Sequence, residues 1–356
     1  MTETQEIQSM TSGEAVVDGL VRNGIDTLFC LPGVQNDLFF DALHARTGEL
    51  RPIHTRHEQG AAYMALGAAL ATGKPSAFCV VPGPGFLNAS AALATAYSTN
   101  SKVLALLGQI NLAAIGRGYG LLHEVRDQMA ILRTMTKWAE RIETPSDAAR
   151  LTQEAFRQLG SGRPRPVGLE CPIDVWGRKA PVTIPAAPAE QELPPVDTDK
   201  VEEAAKLLGT AKNPMIIVGG GAQDSSIEVR RIAEMLEAPV CGYFMGRGVL
   251  DSRHHLSITM PTGEQLWRNV DVVLGVGTRM QPHQQRWGVD KELKIIRIDL
   301  SQEEISRITK PEIGIVGDAT TILNALAEAL PKHNSTRTSR REELDEARAN
   351  TMKKLR

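Results

Sequence analysis

Thr27-Leu28-Phe29-Cys30-Leu31-Pro32-Gly33 is a short apolar run halted by a proline and a glycine, the pattern of a buried strand that runs into a turn. Upstream of it, Ala15, Val16, Val17, Leu20 and Val21 recur at helical spacing within residues 13–24, with Thr11 or Ser12 as N-cap and Gly24 as stop. Downstream the alternation continues. The pattern predicts a helix over 36–44, a strand over 51–55, an alanine-rich helix over 58–72 and a strand over 76–81. A Gly-Pro-Gly turn, a helix over 88–98 and a strand over 103–107 follow. Strands that alternate with helices imply an α/β fold with a doubly wound parallel sheet covered on both faces.

A proline-rich stretch of small and acidic residues interrupts this periodicity and reads as a linker over 181–196. A second α/β series follows, with a helix over 198–208, a strand over 214–218 and the turn Gly219-Gly220-Gly221. Next come a helix over 226–236, strands near 239–243, 270–275 and 294–298, and a closing helix over 319–330. Past Pro331 the chain is rich in charged residues, Ser and Thr, and reads as an exposed connector over 333–356. The expected organisation is one doubly wound domain over 8–180, the linker, a second Rossmann-like domain over 197–332, and the connector.

A chain of 356 residues exceeds what one hydrophobic core usually holds, in keeping with two domains. The formal net charge of -2 offers no basic field for a nucleic-acid backbone or an anionic membrane, and no window of about 18 apolar residues is present to span a bilayer. Cys30, Cys79, Cys171 and Cys241 are widely spaced, so neither a disulfide framework nor a zinc site is suggested and a cytoplasmic setting is expected.

The chemistry-bearing motif is Arg56-His57-Glu58-Gln59-Gly60-Ala61-Ala62, which sets an acid where a strand ends and a helix begins, the edge of an open α/β sheet at which ligands gather. A glutamate at a helix start is also favoured simply by the macrodipole. Its company sharpens the reading. Leu31-Pro32-Gly33-Val34 precedes it, and Gly83-Pro84-Gly85-Phe86-Leu87-Asn88 and Leu107-Gly108-Gln109 follow, each a strand end leading into a turn. Taken singly, the glycines are turn residues and Asn88 is a helix cap. Four such turns along one side of one sheet line a common crevice.

In order and spacing these segments resemble the pyrimidine-binding domain of thiamine-diphosphate enzymes, in particular the acetolactate synthase, pyruvate oxidase and glyoxylate carboligase group. The similarity continues through Leu122-His123-Glu124, Thr136-Lys137-Trp138-Ala139 and Gly162-Arg163-Pro164-Arg165-Pro166-Val167. The resemblance implies that Glu58 bonds the aminopyrimidine ring of thiamine diphosphate and promotes the imino tautomer that activates the cofactor. Pro32, Gly33, Gly83, Gly85 and Asn88 match turns that lie against that ring. Gln109, His57 and His123 match substrate-side positions, with His123 standing where relatives often carry Gln.

In the second domain the resemblance extends to positions that hold FAD in acetolactate synthases: Gly220, Gly221, Gly277, Arg279, Asp299 and Asp318, joined by Arg163. Other relatives keep this domain without a flavin, and Met280-Gln281-Pro282-His283 departs from the usual continuation of the FAD turn.

Relatives bind the diphosphate and Mg2+ through a third domain with a Gly-Asp-Gly segment and paired asparagines. Neither occurs here, so no metal ligand is named in this chain, and the expectation is a truncated protein or one completed by another subunit. The implied activity is decarboxylation of a pyruvate-like 2-oxo acid with carboligation in a homodimer or homotetramer, the chain alone being inactive. A simple decarboxylase or lyase and a non-catalytic subunit stay open. A dinucleotide oxidoreductase would need a Gly-x-Gly-x-x-Gly fingerprint that the Gly219 region does not supply.

Overall fold

The structure, a computed structural model, describes residues 7–186, 195–290 and 292–355. It divides into two compact units, Met1–Gln191 and Glu192–Arg356. Residues 187–194 of the sequence-predicted linker lie outside the described residues.

The first unit runs β1 (Ile7–Thr11), α1 (Ser12–Arg22), β2 (Thr27–Cys30), α2 (Asp37–His44), β3 (Arg51–His54), α3 (Glu58–Thr72), β4 (Ser76–Val80) and α4 (Pro84–Thr99). It continues with β5 (Val103–Gln109), α5 (Gln128–Met135), β6 (Trp138–Arg141), α6 (Pro145–Gly160), β7 (Val167–Pro172), α7 (Ile173–Trp176) and β8 (Lys179–Thr183). Six strands form one parallel sheet in the order β3-β2-β4-β5-β7-β6. The sequence-predicted strands over 27–107 are therefore contiguous neighbours, and all end at the same edge.

Both faces of this sheet are buried, as the alternation of side chains along a strand requires. Ala77 and Cys79 of β4 and Leu104 and Leu106 of β5 join one core layer under α1, α2 and α6. Phe78, Val80, Val103, Ala105 and Leu107 point the other way, into a layer built with α3 and α4. In that layer Ala61, Ala62, Ala65 and Ala69 face Ala89, Ala92 and Ala96, small side chains that let two helices approach closely.

Two expectations are corrected here. The helix predicted over 88–98 begins at Pro84, because proline is accommodated at the first helical position, where its missing N–H costs nothing; Gly83 is its N-cap and Asn88 lies one turn inside. Residues 181–183, assigned to the linker, form β8 and pair antiparallel with β1, with Val182 buried.

The second unit runs α8 (Thr198–Thr210), β9 (Pro214–Val218), α9 (Ser226–Leu236), β10 (Val240–Gly242), β11 (Ser257–Ile258), α10 (Met260–Leu266) and β12 (Val272–Val276). It ends with β13 (Lys294–Asp299), α11 (Gln302–Ile305), β14 (Ile313–Val316), α12 (Ala319–Ala329) and α13 (Arg341–Leu355). Its parallel sheet has the order β11-β10-β9-β12-β13-β14, a doubly wound sheet whose strand order reverses between β9 and β12.

The connector predicted over 333–356 is instead part of this unit. Arg337 donates to the carbonyls of Leu208, Gly209 and Ala211 at 2.8–3.1 Å, tying the segment to the end of α8. Beyond it, α13 buries Leu344 and Ala347 in the core.

At the point of strand reversal the two glycine turns occupy one another's side-chain space. The Gly221 N–H donates to Gly277 O at 3.1 Å, and Gly277 adopts φ +54° with its hypothetical Cβ only 2.4 Å from Gly221 C. Gly277→Ala is expected to destabilise the protein by about 2–4 kcal/mol, combining a left-handed alanine with backbone overpacking. Urea titration checks this, and a loss below about 1 kcal/mol would contradict it.

Beyond that turn His283 is fully buried, within 4.4–6.3 Å ring-centroid distance of Trp287, Trp267 and Tyr243. Burial pushes its pKa down from 6.5 to about 4. The unfolded chain therefore binds a proton that the folded one refuses, so stability is complete above about pH 6.5 and falls between there and about pH 4, by about 3 kcal/mol from this group. The urea midpoint of His283→Phe is expected to fall less than that of the parent between about pH 7 and pH 4.5; parallel declines would exclude this contribution.

Candidate active site

Because β2, β3, β4 and β5 are parallel neighbours, the segments after Cys30, His54, Val80 and Gln109 emerge on one edge. Glu58 stands there as the first residue of α3, half-buried, where the helix macrodipole favours a carboxylate. Asn88 Nδ2 donates to Glu58 Oε2 at 3.0 Å. The two residues meet because α3 and α4 pack side by side with their starts at the same sheet edge.

The glycines around them let neighbouring groups pack where a Cβ would otherwise stand. A Cβ at Gly33 would lie 2.5 Å from Val81 Cγ1, and one at Gly85 would lie 2.5 Å from Val81 Cγ2 and 3.4 Å from Glu58 Oε1. Val81 is thus gripped between the Pro32-Gly33 and Gly83-Pro84-Gly85 turns, and Gly85 leaves Oε1 uncovered on its side. Gly83 adopts φ +56°, and a Cβ there would lie 2.5 Å from His123 O. Gly33, Gly83, Gly85, Asn88 and His123 are therefore brought together around Val81 and Glu58.

Other sequence-predicted residues have different surroundings. His57 is the N-cap of α3, its Nδ1 accepting from Gln59 N at 3.2 Å. Gln109, assigned to the substrate side, is 2% exposed and turned inward: Nε2 donates to Glu170 Oε2 at 3.0 Å and Oε1 accepts from Ile110 N at 2.8 Å. A fully buried carboxylate on the neighbouring strand outcompetes the open cleft for its amide.

The residues assigned to FAD fall on both units. Arg163 belongs to the first, where its carbonyl is one of the acceptors around Lys137 Nζ. In the second, the amides of Gly219, Gly221 and Gly277 already donate to backbone carbonyls. Asp318 caps α12 by accepting from Thr321 N at 2.8 Å, and Asp299 accepts from Ser301 N at 3.0 Å. Arg279 is paired at 3.9 Å with the buried Glu304, and a Cβ at Gly220 would meet Met245 Cβ at 3.2 Å.

Sequence reasoning missed Gln128, Glu170 and Arg141, whose side chains form a buried polar network beneath the Gly83 turn. Gln128 follows the Asp127 N-cap of α5 and carried a local helix-start signal; Glu170 sits in an apolar strand as an acid that demands a partner.

This edge sets a helix-start glutamate, held by an asparagine, beside glycine-walled turns in an α/β unit. Residues 10–131 match the family described as thiamine pyrophosphate enzyme, N-terminal TPP binding domain, and residues 201–326 match thiamine pyrophosphate enzyme, central domain. The chain belongs to the thiamine pyrophosphate enzymes. It is 32% identical over 336 residues to the probable 2-ketoarginine decarboxylase AruI of Pseudomonas aeruginosa, an alignment covering 92% of this chain and 59% of that protein. It is 32% identical over 338 residues to the probable acetolactate synthase large subunit of Methanocaldococcus jannaschii, covering 90% of this chain and 56% of the other. Acetolactate synthase isozyme 3 large subunit of Escherichia coli is 30% identical over 345 residues, with coverages of 92% and 59%. The chain thus spans rather less than two thirds of the length of these relatives.

In an enzyme assembled around this chain, Gly85→Ala is expected to push Val81 aside and cover the Glu58 carboxyl, weakening thiamine diphosphate binding by about tenfold or more at a stability cost of about 1–3 kcal/mol. Calorimetric titration beside urea unfolding reads both; undiminished binding would remove the cradle assignment.

Proposed function

We propose that the first unit holds the aminopyrimidine of thiamine diphosphate, with Glu58 as the proton-sharing acid, in an enzyme that decarboxylates a 2-oxo acid. The observation that carries this reading is the Glu58 carboxyl, fixed through Oε2 by Asn88 and left open at Oε1 by Gly85. The residues fit the group: glycine at 85 sets no side chain beside Glu58 Oε1, and a carboxyl oxygen left so could share a proton with a ring nitrogen. When bound, thiamine diphosphate supplies the electron sink that lets a 2-oxo acid lose CO2.

The chain's own residues have separate tasks. Glu58 would offer Oε1 as the carboxyl oxygen that shares a proton with a ring nitrogen of the bound cofactor. Asn88 keeps the other oxygen occupied, so that the carboxyl does not rotate between roles. Pro32, Gly33, Gly83 and Gly85, which carry little or no side-chain bulk, would let backbone approach a bound ring closely. His57 and His123 are assigned to the substrate side, with His123 next to the Gly83 turn.

Carboligation after decarboxylation is supported by the two acetolactate synthase relatives, and simple decarboxylation by the 2-ketoarginine decarboxylase relative. Both readings share the step that Glu58 serves. Following the family resemblance, Mg2+ and the diphosphate contacts are assigned to residues other than those named for the ring, in a homo-oligomer whose subunits share the site. The resemblance also associates the second unit with FAD, although the amides of Gly221 and Gly277 and the Asp318 carboxyl already have protein partners. No described helix is long and apolar enough to cross a membrane, and the four cysteines are free and buried, which suits a reducing cytoplasmic setting.

Glu58→Gln keeps the size of the side chain but cannot share a proton. In an enzyme assembled around this chain, with pyruvate, thiamine diphosphate and Mg2+, it is expected to lower turnover about 100-fold or more while leaving the melting temperature nearly unchanged. Near-parental turnover would discard the assignment. The chain alone is expected to give no turnover in the same assay.

A further inference from the structure

The turn beside Glu58 is tied from below. Gly83 N–H donates to Gln128 Oε1 at 2.8 Å, and Gln128 Nε2 donates both to Gly108 O at 3.0 Å and to Glu170 Oε2 at 2.8 Å. Glu170 Oε2 also accepts from Gln109 Nε2 at 3.0 Å, while Oε1 accepts from Arg141 Nε at 2.6 Å. Gln128 and Glu170 are 1% and 0% exposed, whereas Arg141 is 24% exposed, so the chain of bonds runs from a partly solvated guanidinium to a backbone amide in the cleft wall.

The orientation of Gln128 is determined by its neighbours. Its amide nitrogen faces two acceptors, Gly108 O and Glu170, and the reverse orientation would set oxygen against oxygen. The remaining oxygen must therefore face the Gly83 N–H. Gly83 is also the residue that must stay at φ +56°, because it starts α4 and lies against the His123 peptide. Holding its N–H fixes the direction in which α4 leaves the turn, and with it Gly85 and Asn88.

We infer that Gln128, backed by Glu170 and Arg141, is a positioning residue for the cofactor site, locking the Gly83-Pro84-Gly85 turn in the form that gives Glu58 its open side. This inference rests on the proposed role of Glu58 only for its consequence, since the lock is a property of the chain before any cofactor binds.

The test is amide hydrogen exchange of the 356-residue chain, read by mass spectrometry on residues 82–87 and corrected for the intrinsic exchange rate at each pH. Gln128→Leu, similar in size but unable to make the three bonds, is expected to speed exchange in 82–87 by about tenfold or more, with little change in peptides of β4 or α6. Gln128→Glu distinguishes a lock from mere packing. As a carboxylate it repels Glu170 and releases the turn, whereas protonated it again presents a donor to Glu170 and a carbonyl to Gly83, so protection in 82–87 should return as pH falls from about 8 to about 5.

A folded Gln128→Leu chain with parental protection in 82–87 would overturn the proposal, as would a Gln128→Glu chain whose protection there ignores pH. Should Gln128→Leu fail to fold, Arg141→Met decides in its place, with a smaller rise confined to the same segment expected and no rise counting against the lock. Glu58→Gln is expected to leave this exchange unchanged, which separates failure of the lock from failure of the acid's assigned role.

Discussion

The cleft depends on how closely α3 and α4 can lie. Alanines at 61, 62, 65 and 69 meet alanines at 89, 92 and 96, so the helices approach with little side-chain bulk between them. Their N-termini emerge from neighbouring parts of one sheet edge, and the approach places Asn88 Nδ2 3.0 Å from Glu58 Oε2. Larger residues along that seam would separate the helices and take the carboxyl away from its donor. The composition of the chain, poor in aromatics at 4%, therefore bears on chemistry as well as on packing. Small side chains in the layer are what permit two polar residues on different helices to act as one unit.

Both units use glycine turns at strand ends, for opposite purposes. In the first, Gly33 and Gly85 close on one valine side chain and leave Glu58 Oε1 uncovered. In the second, Gly221 and Gly277 fill each other's space, and their amides are taken by protein carbonyls. The same signal, a glycine after a buried strand, thus marks close packing on a side chain in one sheet and a backbone-to-backbone seal in the other. What decides is whether the facing turn brings a side chain or another glycine, a long-range fact invisible in the local pattern.

That difference explains which parts of the protein were legible in its sequence. The strands from Thr27 to Gln109 announce themselves as apolar runs stopped by turn residues, and their common edge follows from strand-helix alternation. The place of Glu58 at the start of α3 was legible because the apolar strand before it and the alanine-rich run after it meet there. Asn88 was recognised as part of the site, but its partner was not, since Glu58 lies 30 residues away and on another helix. Gln109 misled for the opposite reason. Its place at the end of β5 suggests the cleft, while its direction is set by Glu170, 61 residues later and two positions from the end of β7. The tail past Pro331 was unreadable because most of its anchors are polar, among them Arg337 on three backbone carbonyls, Arg348 on the carbonyls of His255 and Ser257, and Thr351 with Thr262 and Gln265, which create no hydrophobic period.

The position of Glu170 completes the argument about the cleft. A carboxylate removed from water is tolerated only with donors on its oxygens, and this one has three, from Gln109, Gln128 and Arg141. Because β5, β6, β7 and α5 each contribute to the network, sliding any one of them by a residue would strand a charge. Such a set selects one register for four elements at once. The loop that carries His123 ends where α5 begins, so fixing α5 also fixes that loop against Gly83. The cleft wall thereby takes its shape from a buried polar cluster that never faces the cleft, and the apolar packing around it supplies stability without setting that shape.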